Sequence, residues 1–212
     1  MNKNKRLNIK NTVYEHVVNN SKEYILVTLI FLIGIFLGVM FINNTQEAQM
    51  SEITSYMNNF IDKLKNIEEL ENIKILKSSL IENIILAITL WFFGTTVIGI
   101  PIVFGIILYR GFCLGYTIAS IIAIMGIGKG IGFIFMALLL QNIIFIPAIV
   151  AIGVSGFKLY KSIVKDRNRD NIKIEVVRHT IFSAIMLLIL CIASAIEILI
   201  STNILKNFIK YF

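Results

Sequence analysis

The chain has 212 residues, 57% of them hydrophobic and 16% charged, with a mean hydropathy of +0.80. A soluble domain of this length could bury a core, but its surface would need more charge than this. The net charge of +7 fits lysines and arginines that hold loops on the cytoplasmic face of a membrane, and we expect no nucleic-acid partner.

Residues 1–23 carry five basic and two acidic side chains and are expected in the cytoplasm. The apolar run 24–42 (YILVTLIFLIGIFLGVMFI) is longer than the roughly 7–15 residues of a cleavable signal, and no A-x-A site follows it. It reads as an uncleaved first span. Gly34-xxx-Gly38 within it, like Gly111-xxx-Gly115 further on, is a small-xxx-small pair that permits close helix approach, either inside the chain or between copies in a homo-oligomer.

Residues 43–82 then lie outside the cell membrane as a helical segment. Within 43–80 there are six acidic residues and four lysines. Apolar residues fall at Met50, Ile53, Met57, Phe60, Leu64 and Ile67, and the register then shifts to Leu70, Ile73, Leu76 and Leu80. This is the pattern of an amphipathic helix with one phase slip. Such a helix lies on the membrane or against its own bundle, or it offers a docking face of Met57, Phe60, Leu64 and Ile67.

Between positions 83 and 157 there are 75 residues and two charges, Arg110 and Lys129. Residues 158–179, with seven basic and three acidic side chains, form a second cytoplasmic segment. With both basic segments inside, the stretch between must cross an odd number of times. One crossing cannot hold it at about 1.5 Å per residue through about 30 Å of hydrocarbon. Three spans are expected, at 83–108, 111–127 and 131–157, with Arg110 at a cytoplasmic turn and Lys129 at an external one. The middle span is short, and a re-entrant path for 111–131 preserves the parity. Pro101 and Pro147 are expected to kink their spans. Span 180–202 and an external tail at 203–212 complete the chain. The fold class is all-α, a polytopic transmembrane helical bundle of about five spans with one external amphipathic helix, forming one integral membrane domain in the lipid bilayer.

Few residues suggest chemistry. Gly153-Val154-Ser155-Gly156 has the form of an intramembrane serine-protease nucleophile, and His179 falls on the same side. Small residues at a helix end more often serve packing, and no further polar groups converge on this pair. The glycine-rich run Gly126–Gly132 matches no phosphate-binding pattern. Gln141 and Asn142 are expected to bond across helices, and Glu197 to reach toward Lys129 or Lys206. His16 and His179 have no metal-ligand companions, and Cys113 and Cys191 are expected to pack in lipid. No catalytic residue, cofactor or metal is assigned.

The order of a basic N-terminus, one span, an external amphipathic segment and a Gly99-Ile-Pro101 turn carries a resemblance. So do Arg110-Gly111-Phe112 followed by Gly115-Tyr116, and the Gln141-Asn142…Pro147 span. Over nearly its whole length the chain resembles the stage II sporulation protein M family. The resemblance implies a multi-pass protein of the engulfment machinery, in the septal and engulfing membrane of the mother cell. It further implies a scaffold without catalysis of its own that acts with stage II sporulation proteins D and P, which degrade peptidoglycan. A transporter or channel subunit is the alternative, and an intramembrane serine protease a more distant one.

Overall fold

The computed structural model describes residues 18, 20–65, 69–135, 138, 140–165 and 169–196. Among them lie six helices and no strand: α1 Ser21–Asn43, α2 Glu47–Lys65, α3 Glu69–Gly94, α4 Gly99–Ile134, α5 Leu140–Lys165 and α6 Arg169–Ile196. All but α2 contain a stretch long and apolar enough to cross a membrane, namely Ser21–Asn43, Lys77–Gly94, Gly99–Ile134, Asn142–Val164 and Ile172–Ala195. In lipid a helix satisfies every backbone polar group within its own segment, so these runs fold as helices. The expected helical polytopic bundle is what the chain forms.

The helix boundaries differ from the expected spans. The chain breaks at 95–98, inside the expected span 83–108, and α4 runs unbroken through Arg110. The cause is local hydrogen bonding. Thr95 Oγ1 donates to the Phe92 carbonyl at 2.6 Å, and Thr96 Oγ1 to the Phe93 carbonyl at 3.1 Å. The Gly99 N–H then donates to Thr96 Oγ1 at 3.0 Å, which satisfies a donor that the first turn of α4 leaves open. Pro101 sits in that first turn, where its missing N–H costs nothing, and so it starts a helix rather than kinking one. At the other end, Gly126 takes a left-handed φ of 76° with ψ 167°, and helix resumes beyond it to Ile134. A Cβ at Gly130 would lie 3.2 Å from Ile122 Cα, so the chain folds back on itself at Gly126 and the expected turn is present, with a short stretch of helix on its far side. Pro147 does lie inside its helix, α5.

Helix α5 is the centre of the bundle. Over its most apolar stretch 56% of residues are buried, against 22–33% in the other four candidate spans. Its residues Ala148–Gly156 are buried without interruption. Around it close Val27 and Phe31 of α1, Leu90 of α3, Val103 and Ile107 of α4, and Phe182 and Leu190 of α6. Large apolar side chains such as Phe36, Ile85, Tyr109 and Leu188 point outward, the arrangement a lipid surround permits.

Two contacts orient the bundle. Lys161 Nζ meets Glu23 Oε1 at 2.7 Å, so the start of α1 and the end of α5 share one end of the molecule. That end also holds Lys22, Lys158 and Arg178. Helices α1 and α4 run parallel, because Gly34 faces Leu108 and Gly38 faces Phe112 further along both helices. Helix α2 follows α1 at the opposite end and makes no extensive contact with another helix among the described residues.

Candidate functional site

The Arg110–Tyr116 segment is two-faced, and each face does a different job. On one face, Gly111 and Gly115 meet Gly34 and Gly38 of α1 in a seam with almost no room. A Cβ at Gly34 would lie 2.1 Å from the Leu108 carbonyl oxygen, and at Gly38 2.2 Å from that of Phe112. A Cβ at Gly111 would lie 2.2 Å from the Phe31 oxygen, and at Gly115 2.1 Å from the Ile35 oxygen. The obstacles are backbone atoms, which cannot swing aside. Backbones this close permit Cα–H···O contacts of about 0.5–1 kcal/mol each. Phe112 and Tyr116 flank the seam and close on Phe41 of α1, at ring separations of 5.8 and 6.1 Å. Both small-xxx-small pairs are thus used within one chain, against each other.

On the other face, Arg110, Cys113, Leu114 and Thr117 follow helical spacing and line a cavity of about 380 Å³ between α3, α4 and α5. Ser78, Ser79, Glu82 and Asn83 line it from α3, and Asn142 and Phe145 from α5. Arg110 lies 11 residues into α4, about 16 Å along the helix, and so in the middle of a span rather than at a turn. A guanidinium at the centre of a membrane helix costs about 2.5–3.5 kcal/mol on insertion scales. Its carbon lies 5.7 Å from the centre of the Phe145 ring, a cation–π contact. Asn142 Nδ2 donates to the Leu138 carbonyl at 2.7 Å, so this bond is local and not the expected link across helices. The side chain of Gln141 and all of Glu197 and Lys206 lie outside the described residues.

The polar groups that do join helices lie elsewhere. His179 and Ser155 meet, with 2.9 Å between Nδ1 and Oγ, at 2% and 6% exposure. His179 Nε2 stands 3.4 Å from the Trp91 carbonyl. A carbonyl only accepts, so Nε2 carries the proton, and in the neutral ring Nδ1 accepts from the Ser155 hydroxyl. The ring fits because Gly94 is small, since a Cβ there would lie 2.9 Å from Nε2. Trp91 Nε1 donates to Thr180 Oγ1 at 3.1 Å, and Asn83 Nδ2 to Ser194 Oγ at 2.6 Å. These bonds join α3, α5 and α6. Sequence spacing pointed to Ser155 and His179 as a pair, but Trp91 enters through a backbone carbonyl, for which no side-chain pattern exists. The cavity had a fainter signal in Ser78-Ser79 and Glu82-Asn83, spaced four apart just before an apolar run.

On α2, Met57 is half-buried, and Tyr56 beside it is 76% exposed. Phe60 and Leu64 belong to the same helix, with side chains outside the described residues, and Ile67 lies outside them altogether.

A bundle of five apolar helices riveted by buried polar bonds defines a polytopic helical membrane protein. The family model described as Stage II sporulation protein M matches residues 27–202, from α1 to beyond the end of α6. The chain therefore belongs to the stage II sporulation protein M family, and is a sporulation membrane protein. No curated protein and no solved structure matches it.

Proposed function

We propose that this protein is a non-enzymatic scaffold of the engulfment machinery, which places peptidoglycan hydrolases at the septal and engulfing membrane of the mother cell. The observation that carries this reading is α2. It is an amphipathic helix that makes no extensive contact with another helix among the described residues, and it follows α1 at the end opposite Lys22, Lys158 and Arg178. With that basic end in the cytoplasm, α2 faces the space where wall hydrolases work. Family membership supports the process, and the resemblance names stage II sporulation proteins D and P as the partners. Ser155 and His179 act as a packing device in this reading, because a nucleophile needs access that a residue 6% exposed lacks.

The test is deletion of the gene in sporulating cells with fluorescent hydrolases. Loss of septal hydrolase foci together with failed engulfment is the expected result. Intact engulfment with normally placed hydrolases would end the proposal. The cavity around Arg110 favours a second reading, a transport subunit. Reconstituted flux that depends on Arg110 or Asn142 would select it.

A further inference from the structure

We infer that the Arg110 cavity binds a zwitterionic group, with a phosphate or carboxylate on Arg110 and an ammonium toward Glu82. Both charges line the same cavity, Arg110 from α4 and Glu82 from α3. They form no ion pair with each other, and the Arg110 contact among the described residues is the Phe145 ring. A guanidinium carries five N–H donors in a fixed fork that suits two oxygens of a phosphate or carboxylate. The ring of Phe145 takes none of them as a hydrogen-bond acceptor would.

The volume also fits a ligand. About 380 Å³ lies within the range of small-molecule sites and would hold roughly a dozen waters. The lining is mixed, with hydroxyls at Ser78 and Thr117 and an amide at Asn142. Thr117 donates its proton to the Cys113 carbonyl at 2.8 Å, which leaves its oxygen as an acceptor. A simple anion would bind Arg110 and be repelled by Glu82. A simple cation would meet the reverse. A molecule that carries both charges satisfies both side chains. An aminophospholipid whose headgroup is drawn in from the interface by the two charges is one source of that chemistry, and a free soluble zwitterion is the other.

The test uses the full chain in mild detergent, mixed with equal amounts of phosphatidylethanolamine and phosphatidylglycerol of matched acyl chains, and read by native mass spectrometry. Retention of phosphatidylethanolamine over phosphatidylglycerol by about tenfold is expected, the size of one charge-assisted contact. Glu82→Gln, a change at an exposed position, should bring the two lipids to parity or favour phosphatidylglycerol. Arg110→Gln should lose both. Free phosphoethanolamine that displaces the lipid assigns the site to the headgroup chemistry alone, whereas lipid retained against it assigns the site to a membrane lipid. Equal retention of the two lipids by the unaltered protein, retention of neither, or a preference unchanged in Glu82→Gln would overturn the inference.

Discussion

A Cβ at Gly111 would lie 2.2 Å from the Phe31 carbonyl oxygen, whereas one at Gly105, six residues earlier on α4, meets nothing within 4 Å. The same substitution should therefore have opposite signs at the two sites. Gly111→Ala must push the α1 and α4 backbones apart and should cost about 1–3 kcal/mol or more. Gly105→Ala should gain about 0.5–1 kcal/mol from the lower freedom of the unfolded chain. Thermal unfolding in detergent, followed by loss of the monodisperse elution peak, checks both. His179→Ala leaves the Ser155 hydroxyl and the Trp91 carbonyl short of a partner in a buried site, and should cost about 1–3 kcal/mol. Ser155→Ala removes one bond and little volume, and should cost about 1 kcal/mol without loss of function. A sporulation defect from Ser155→Ala in a protein of normal stability would revive the protease reading. At this scale the spacing of Gly34, Gly38, Gly111 and Gly115 was legible in the sequence. Which glycines faced which was not, because spacing describes one helix surface and says nothing about the surface opposite.

Among the elements, α2 is the one whose role turns on what lies beyond the chain. It holds Met50, Ile53 and Met57 half-buried along one side, with Glu52, Tyr56 and Asn59 exposed. Replacing Phe60 and Leu64 on this helix with glutamate should weaken capture of the hydrolase partners several-fold, while membrane insertion stays normal. Co-purification in mild detergent measures the first, and carbonate-resistant membrane association the second. Undiminished capture would remove α2 as the docking face. The break between α3 and α4 shows why helix limits were harder to read than helix existence. Thr95 and Thr96 return their hydroxyls to the Phe92 and Phe93 carbonyls, so the chain turns with no charge and no loss of hydropathy to mark it. Arg110, the visible charge nearby, sits instead in the middle of α4, where a cavity accommodates it.

For the whole molecule, the Lys161–Glu23 pair ties the two basic segments to one end, in keeping with the charge asymmetry of the sequence. A sidedness experiment follows. With Cys113 and Cys191 replaced by alanine, a cysteine at Asn59 of α2 should react with a membrane-impermeant maleimide in intact cells. One at Thr96, in the turn between α3 and α4, should react only after permeabilisation. Both positions are exposed, so reactivity reports the side of the membrane. Labelling of Thr96→Cys from outside would invert the topology and place α2 in the cytoplasm.

The pairing of α1 with α4 also has a temporal side. The two helices are not neighbours in the chain, and Gly111 is made about 70 residues after Gly38, which at ordinary synthesis speeds is roughly 4–15 s. For that interval the glycine stripe of α1 sits in lipid with its partner not yet made. Any other membrane helix that offers a flat surface can occupy it, whether an insertion factor or a second nascent copy. Pairing of α1 with α4 therefore comes after most of the chain up to Gly111 has been made, and a chain truncated before Gly111 would leave the stripe without its α4 partner.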